Sequence, residues 1–227
     1  MNVNIGALRY DGDKESGPLS VTMPRRTKAE AEATREALLD AAEEVFFDKG
    51  VARASLEQIA RHAGMTRGAI YWHFKDKADL FHALLNRVRL PFEELLDEVR
   101  ETSGIDSPLE TLRLACHNSL VRIERPRDRR THAILLHRCE FFSDINPLEM
   151  QNRLVRECQK SMYKQLRHAH DLGLLAPGLA PETATRLLQS MLSGLVHDWL
   201  RDPASFPLRD EGGALIDTLF GLISWNA

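Results

Sequence analysis

Cysteine is scarce in this sequence and badly spaced for any shared task. Cys116, Cys139 and Cys158 are an odd set with no CxxC pair, which argues against a disulfide framework and against the usual zinc spacings. Long hydrophobic runs are missing as well. No stretch approaches the roughly 18 apolar residues that a membrane span needs, and no apolar signal segment opens the chain. A reducing, cytoplasmic setting without membrane contact is the expectation. Positive charge is not in excess either: 30 Lys and Arg face 33 Asp and Glu, for a formal net charge of -3. Any contact with nucleic acid must therefore come from local charge.

Catalytic signatures are absent too. There is no nucleophile elbow, phosphate-cradling glycine loop or zinc-protease helix. Ser193-Gly194 with His197 and Asp198 resembles a hydrolase group only in composition. All four fall on one expected helix, where they cannot build a triad around an oxyanion hole. Histidine and cysteine fail as metal ligands by spacing. His137 and Cys139, like His168 and His170, are two apart and point to different faces of a helix, and Cys116-His117 are adjacent. No enzyme activity, cofactor or metal is expected, and the cysteines read as small core residues.

What is present is a helical pattern. Hydrophobic residues make up 43% of 227, enough for a real core. Residues 1–23 hold Gly6, Gly12, Gly17 and Pro18 without periodicity and read as a mobile tail. The run Met23-Pro24-Arg25-Arg26-Thr27-Lys28 looks like a natural protein start, which leaves open whether residues 1–22 belong to the natural chain. From Glu30, Leu38, Leu39, Ala42, Val45 and Phe46 recur at helical spacing and stop at Lys49-Gly50. Ser55 and Gln58 form a capping box. Thr66 caps a short helix to His73, and Asp76 caps a fourth helix running toward Val99 with a bend at Pro91. Ser107-Pro108 and Asn146-Pro147 each place a cap before an N-terminal proline. Further helices fit Arg130–Glu140, Pro181 to Leu200 and Asp210 to Ile223. No alternating strand of useful length and no internal repeat is found. The fold class is all-α with about nine helices, divided into a reader at 24–75 and a larger domain at 76–227.

The reader carries the chemistry. Two short helices separated by a glycine-containing turn, with a third helix before them, meet the requirements of a helix-turn-helix. The second of them, Thr66-Arg67-Gly68-Ala69-Ile70-Tyr71-Trp72-His73-Phe74-Lys75, contains no carboxylate and can lie among phosphates. Arg67 can fork onto a guanine edge, while Tyr71 and His73 can donate to phosphates or bases. Gly68 and Ala69 are small enough to admit close approach of the backbone. Ile70 and Phe74 are the expected core anchors. Trp72 fits either a contact or a core position. From Pro24 to Leu80 ten Lys/Arg balance ten Asp/Glu. Their order is uneven, with a basic arm of Arg25, Arg26 and Lys28 ahead of Glu36, Asp40, Glu43, Glu44 and Asp48.

The segment from Thr34 to Leu85, and above all Gly64-Met65-Thr66-Arg67-Gly68-Ala69-Ile70-Tyr71-Trp72-His73-Phe74 with Lys77, closely resembles the DNA-binding domain of the TetR family. The basic arm and Leu136-His137-Arg138-Cys139-Glu140-Phe141 resemble its AcrR branch, repressors of multidrug efflux pumps. The resemblance implies a homodimer on a palindromic double-stranded DNA operator. Ser55, Thr66, Arg67, Tyr71, Trp72, His73 and Lys77 match the family's contact positions, with Lys77 gripping phosphate. It also implies a small hydrophobic effector that enters the C-terminal domain and shifts the fourth helix.

Polar residues interrupting apolar stripes suggest where that effector lies, although each of them equally fits a solvent or helix-packing position. The candidate pocket is Val88, Cys116, Ser119, His132, Leu136, Gln189, Leu192 and Val196. Leu188, Met191, Leu195, Trp199, Leu215, Leu219 and Phe220 carry apolar surface for a dimer interface or for burial within one subunit. Alternatives to the efflux repressor are an activator, a repressor of a catabolic operon, and a protein-interaction module without a ligand site.

Overall fold

A computed structural model describes residues 28–88, 91–141 and 145–225, the side chain of Val88 excepted. The expected tail and the arm residues Arg25 and Arg26 lie outside these residues. Among the described residues ten α-helices follow in order: α1 (Lys28–Lys49), α2 (Leu56–His62), α3 (Arg67–His73), α4 (Lys77–Val88), α5 (Phe92–Ser103), α6 (Pro108–Ile123), α7 (Pro126–Ala133), α8 (Pro147–Asp171), α9 (Pro181–Arg201) and α10 (Leu208–Ile223). No strand occurs among the described residues; Leu175 and Ser224 form an isolated bridge. The all-α class holds.

The caps form where the sequence places them. Ser55 Oγ accepts from Gln58 N and Gln58 Oε1 accepts from Ser55 N, both at 3.2 Å. Ser107 and Asn146 cap α6 and α8 ahead of their prolines. Asp76 Oδ1 accepts from Asp79 N at 2.8 Å, and Asp79 Oδ2 returns the contact to Lys75 N at 3.0 Å. Two expected elements differ. The helix from Asp76 to Val99 is two, α4 and α5, because Pro91 cannot donate to the helical ladder and instead stands at the start of α5. The helix expected at Arg130–Glu140 begins earlier, at Pro126, where the ring suits a first helical position. It then widens into a π-helical turn, Ile134–Arg138.

Two apolar clusters form the core. One joins α5, α6, α8, α9 and α10, with Leu96, Leu112, Leu166, Leu188 and Leu208 fully buried. Here α10 lies so close that a Cβ on Gly212 would stand 2.8 Å from Leu120 and 2.9 Å from Leu195, so a side chain at that position would force those leucine ends to shift. The other cluster holds α1, α2 and α3 together through Leu38, Phe46, Ile59, Ile70 and Phe74. This core does not stop at residue 75. Leu80, Phe81 and Leu84 of α4 belong to it, as do Ile134 and Leu135 of the π turn and Ile145. Phe46 and Phe81 meet edge to face with centroids 5.9 Å apart. Phe47 touches both clusters. The reader is thus packed directly onto the larger domain.

Candidate DNA-reading surface and effector cavity

The turn between α2 and α3 needs a left-handed residue, and Gly64 supplies it with φ of 68°. Thr66 Oγ1 then accepts from Ala69 N at 3.2 Å and starts α3. Ile70 and Phe74 are buried, and this fixes what the rest of the helix can present. Thr66, Arg67, Gly68, Tyr71, Trp72 and Lys75 face outward, while His73 is half-buried. Trp72 is 70% exposed, so of the two readings of this residue the core one does not apply within the subunit. Its ring stands edge-on to His73. A Cβ on Gly68 would come no nearer than 3.9 Å to another part of the protein. Nothing inside the subunit demands glycine there. Ser55 is half-buried and occupied as a cap, and Lys28 is exposed at the start of α1.

Two contacts on this surface were not legible in the sequence. Glu57 in the first turn of α2 reaches α3, where its Oε1 lies 3.3 Å from Arg67 Nε and accepts from Tyr71 Oη at 3.1 Å. Backbone donors at the helix start, then the tyrosine hydroxyl and Arg67, hold the Glu57 carboxyl below its ordinary pKa. A carboxylate therefore occupies the donors that a phosphate or base would take, although α3 itself contains none. Lys77 is the second. Its Nζ donates to the carbonyls of Val51, Ala52 and Ala54 at 2.8, 2.8 and 3.0 Å, the loop that connects α1 to α2. An ammonium has three hydrogens, and in this conformation all three point into the protein. The geometry thus gives Lys77 a loop to hold rather than an open hand for phosphate. Burial lowers its pKa, and Cys139 opposes that fall.

Below the reader lies a partly open cavity of about 1100 Å³ between α4, α5, α6, α7 and α8. Of the residues that the sequence offered for an effector pocket, Ser119 and His132 are in its wall. Cys116, Leu136, Gln189, Leu192 and Val196 are not. Cys116 is fully enclosed by the C-terminal core, and burial raises its thiol pKa well above the ordinary value. Leu136 packs on the same core; the π turn brings its neighbour Leu135 to the cavity instead. Leu192 is buried and Val196 partly buried against that core, and the Gln189 amide donates to Ser193 Oγ at 2.7 Å. Val88 lies outside the described side chains. The sequence pattern identified α9 as apolar without showing that its apolar side faces α8 and α10 rather than the cavity. Residues it missed include Arg87, Phe92, Arg127 and Thr131.

No group of three or more His, Cys, Asp or Glu with metal-binding geometry occurs among the described residues. His137 and His197 do stack, with ring centroids 4.6 Å apart, and burial followed by His197 lowers the pKa of His137. The thiols of Cys158 and Cys139 are raised by burial to about 12 and about 11, as suits packing groups. No helix among the described residues is long and apolar enough to cross a membrane.

A three-helix reader whose third helix, α3, faces outward, joined through α4 to a hollow helical domain, defines a helix-turn-helix regulator. Comparison with known proteins identifies the family. Residues 38–84 match the bacterial regulatory proteins of the tetR family, and residues 107–225 match the C-terminal region of MAATS-type transcriptional repressors. The chain belongs to the tetR family. It is 36% identical to the HTH-type transcriptional regulator AcrR of Shigella flexneri over 191 residues, covering 83% of this chain and 88% of AcrR. Among solved structures it is similar to NalD, the secondary repressor of the MexAB-OprM multidrug efflux pump in Pseudomonas aeruginosa. That match has a TM-score of 0.77 and 38% identity, over 88% of this chain and 100% of NalD. It is also similar to a triclosan complex of SmeT from Stenotrophomonas maltophilia, with a TM-score of 0.74 and 37% identity over 86% and 93% of the two chains.

Proposed function

We propose that this protein is a dimeric transcriptional repressor of a multidrug efflux pump, released from a palindromic operator when a small molecule enters the cavity under α4. The observation that carries the reading is the outward face of α3, where Arg67, Tyr71 and Trp72 stand exposed around a glycine that internal packing does not require. Such a face fits a major groove, with Arg67 at a base edge and Thr66, Tyr71, His73 and Lys75 near the backbone. Ser55 and Lys28 complete the proposed contact set on the described residues, and Arg25 and Arg26 precede Lys28 in the sequence. The relation to NalD and AcrR supports repression of an efflux pump, and the triclosan complex of SmeT supports a small-molecule effector.

Dimerisation is supported by α9 and α10. Leu188, Leu195, Trp199 and Phe220 are consumed inside the subunit. Leu187, Ser190, Met191 and Gly194 on α9 form a second face by their spacing, and Ala214, Leu215, Thr218 and Leu222 do the same on α10. Leu187, Leu215 and Leu222 are all exposed, Leu222 at 73%. A second copy of the pair would close a four-helix interface over them. The entry of the effector between α4 and the α5–α8 shell would then move α4 and change the separation of the two readers, which must match a whole number of helical turns.

The test is fluorescence anisotropy of the purified protein on DNA from immediately upstream of its own gene, with and without hydrophobic drugs. Tight binding to this DNA over scrambled sequence, relieved by some compounds, is the expected result. Tight binding that no compound relieves would remove the effector from the reading and leave the reader.

A further inference from the structure

The cavity is more charged than a purely hydrophobic effector would need. Its wall holds Arg87, Arg122, Arg125, Arg127, Arg130 and Arg153 against two acids, Asp128 and Glu157. Glu157 is engaged with Arg153. The acids that answer four of the other arginines stand outside the wall: Glu36 and Asp40 on Arg87, Glu98 on Arg122, Asp40 on Arg127 and Glu43 on Arg130. The wall itself therefore presents more cationic than anionic groups to the cavity.

One of these arginines is unusual. Arg87 sits near the C-terminal end of α4 with its side chain only 9% exposed. Nη2 donates to Asp40 Oδ1 at 2.7 Å and lies 2.9 Å from Glu36 Oε2, both on α1. Nη1 is buried and has no hydrogen-bond partner among the described residues. Thr131 Oγ1 of α7, in the same wall, is buried in the same condition. Buried polar groups are nearly always paired, and an unpaired one is costly. Two vacancies in one cavity wall, one of them cationic, are what an absent acceptor would leave.

We propose that the cavity selects amphiphiles with an aromatic or aliphatic body and an anionic group, such as a sulfonate, carboxylate or phenolate, seated on Arg87 and Thr131. This rests on the reading of the cavity as the effector site and names the chemistry it prefers. The body lies against Leu85, Phe92, Leu95, Ile123, Leu135 and Leu154. The seat also supplies a route to the reader. An anion at Nη1 competes with Glu36 and Asp40 for one guanidinium, so occupancy weakens the tie between α4 and α1.

The test uses the full chain without DNA and two fluorescent probes with the same rings, anilinonaphthalene sulfonate and neutral N-phenyl-naphthylamine. The sulfonate should bind one site per subunit roughly tenfold more tightly than the neutral amine, as expected for a charge-assisted contact in a buried seat. Arg87→Gln should abolish that preference by weakening the sulfonate alone. Thr131→Val, which leaves the ion pairs of Arg87 with α1 in place, should reduce the preference in the same direction and serves if Arg87→Gln does not fold. Equal affinities in the wild type, unchanged in the variants, would overturn the anion seat and leave the effector cavity standing. Failure of both probes to saturate a site would overturn the cavity reading and the seat together.

Discussion

Replacing Lys77 with Met separates two roles that the same lysine could fill. The side chain donates to three loop carbonyls, those of Val51, Ala52 and Ala54. A hydrogen bond to a charged group contributes about 1.5–3 kcal/mol when well buried. Three cannot simply be added, because the ammonium is only half-buried and its own desolvation offsets part of the gain. A net loss of about 2–3 kcal/mol is the reasonable scale once the partial exposure is discounted. For a chain of this size that corresponds to a melting point lower by about 4–12 °C. The loop leads into Ser55 and the start of α2, so operator affinity should fall to a similar degree for every sequence. Its dependence on salt should keep the wild-type slope, since a lysine directed into the protein displaces no counterion from DNA. A direct phosphate contact would instead flatten that slope by about 0.9. Thermal denaturation and anisotropy titrations over a range of salt read both quantities. An unchanged melting point with a slope shallower by that amount would refute the loop-holding argument.

The remaining predictions concern other links of the same chain. Arg67→Ala should cost about 1–3 kcal/mol in operator affinity and relax base preference at one position of each half-site, as read by binding to a panel of single-base variants; an even loss across the panel would move Arg67 to the backbone. Gly68→Ala should stabilise α3 by about 0.5–1 kcal/mol and yet weaken operator binding, a combination that melts and anisotropy would reveal. Leu222→Glu should yield monomers by light scattering together with loss of operator binding; a dimer of unchanged size would place the interface elsewhere. Glu43 has its carboxyl pKa raised above 4.5, chiefly by burial and against the pull of Arg130. It therefore binds its proton more tightly folded than unfolded. Its contribution to stability is full below the unfolded value and is lost as pH rises through the folded one. The stability of wild type relative to Glu43→Gln, from urea melts, should fall as pH rises through that window; a difference that grows would contradict the sign.

The reader was legible because its signals are local. Ser55 with Gln58, Thr66, and Gly64 act within one turn of helix, so their positions in sequence fix their geometry. Ile70 and Phe74 follow from spacing alone, and with two positions of α3 buried its outward face follows as well. The cavity was not legible, because a pocket is made by the relative placement of helices far apart in sequence. Ser119 and His132 reached its wall, whereas Gln189 and Leu192 on α9 did not. An apolar stripe states that a face is covered and leaves open by what. Pro91 illustrates the intermediate case: the sequence marked a bend there, and whether a proline bends one helix or ends it depends on packing beyond its own turn.

The acids of α1 show how far local charge can mislead. Read along the chain, Glu36, Asp40, Glu43 and Glu44 make the first helix an unpromising neighbour for DNA and help bring the stretch from Pro24 to Leu80 to zero net charge. In the fold they are engaged elsewhere. Glu36 and Asp40 meet Arg87, Asp40 also meets Arg127 at 3.0 Å, and Glu43 is 2% exposed with its Oε1 2.5 Å from Arg130 Nε. Glu44 lies 2.6 Å from His62 of α2. Four of the ten acids counted against DNA contact are thereby matched, three of them by arginines from α4 and α7 that lie outside the reader's own sequence. The exposed pairs among them contribute little stability one by one, but together with the buried ones they decide which charges the reader still shows to DNA. They also join the reader to the helices that wall the cavity. A ligand that drew Arg87 toward itself would loosen that joint and leave Glu36 and Asp40 less fully matched, so mechanical release and electrostatic repulsion from the operator would act in the same direction.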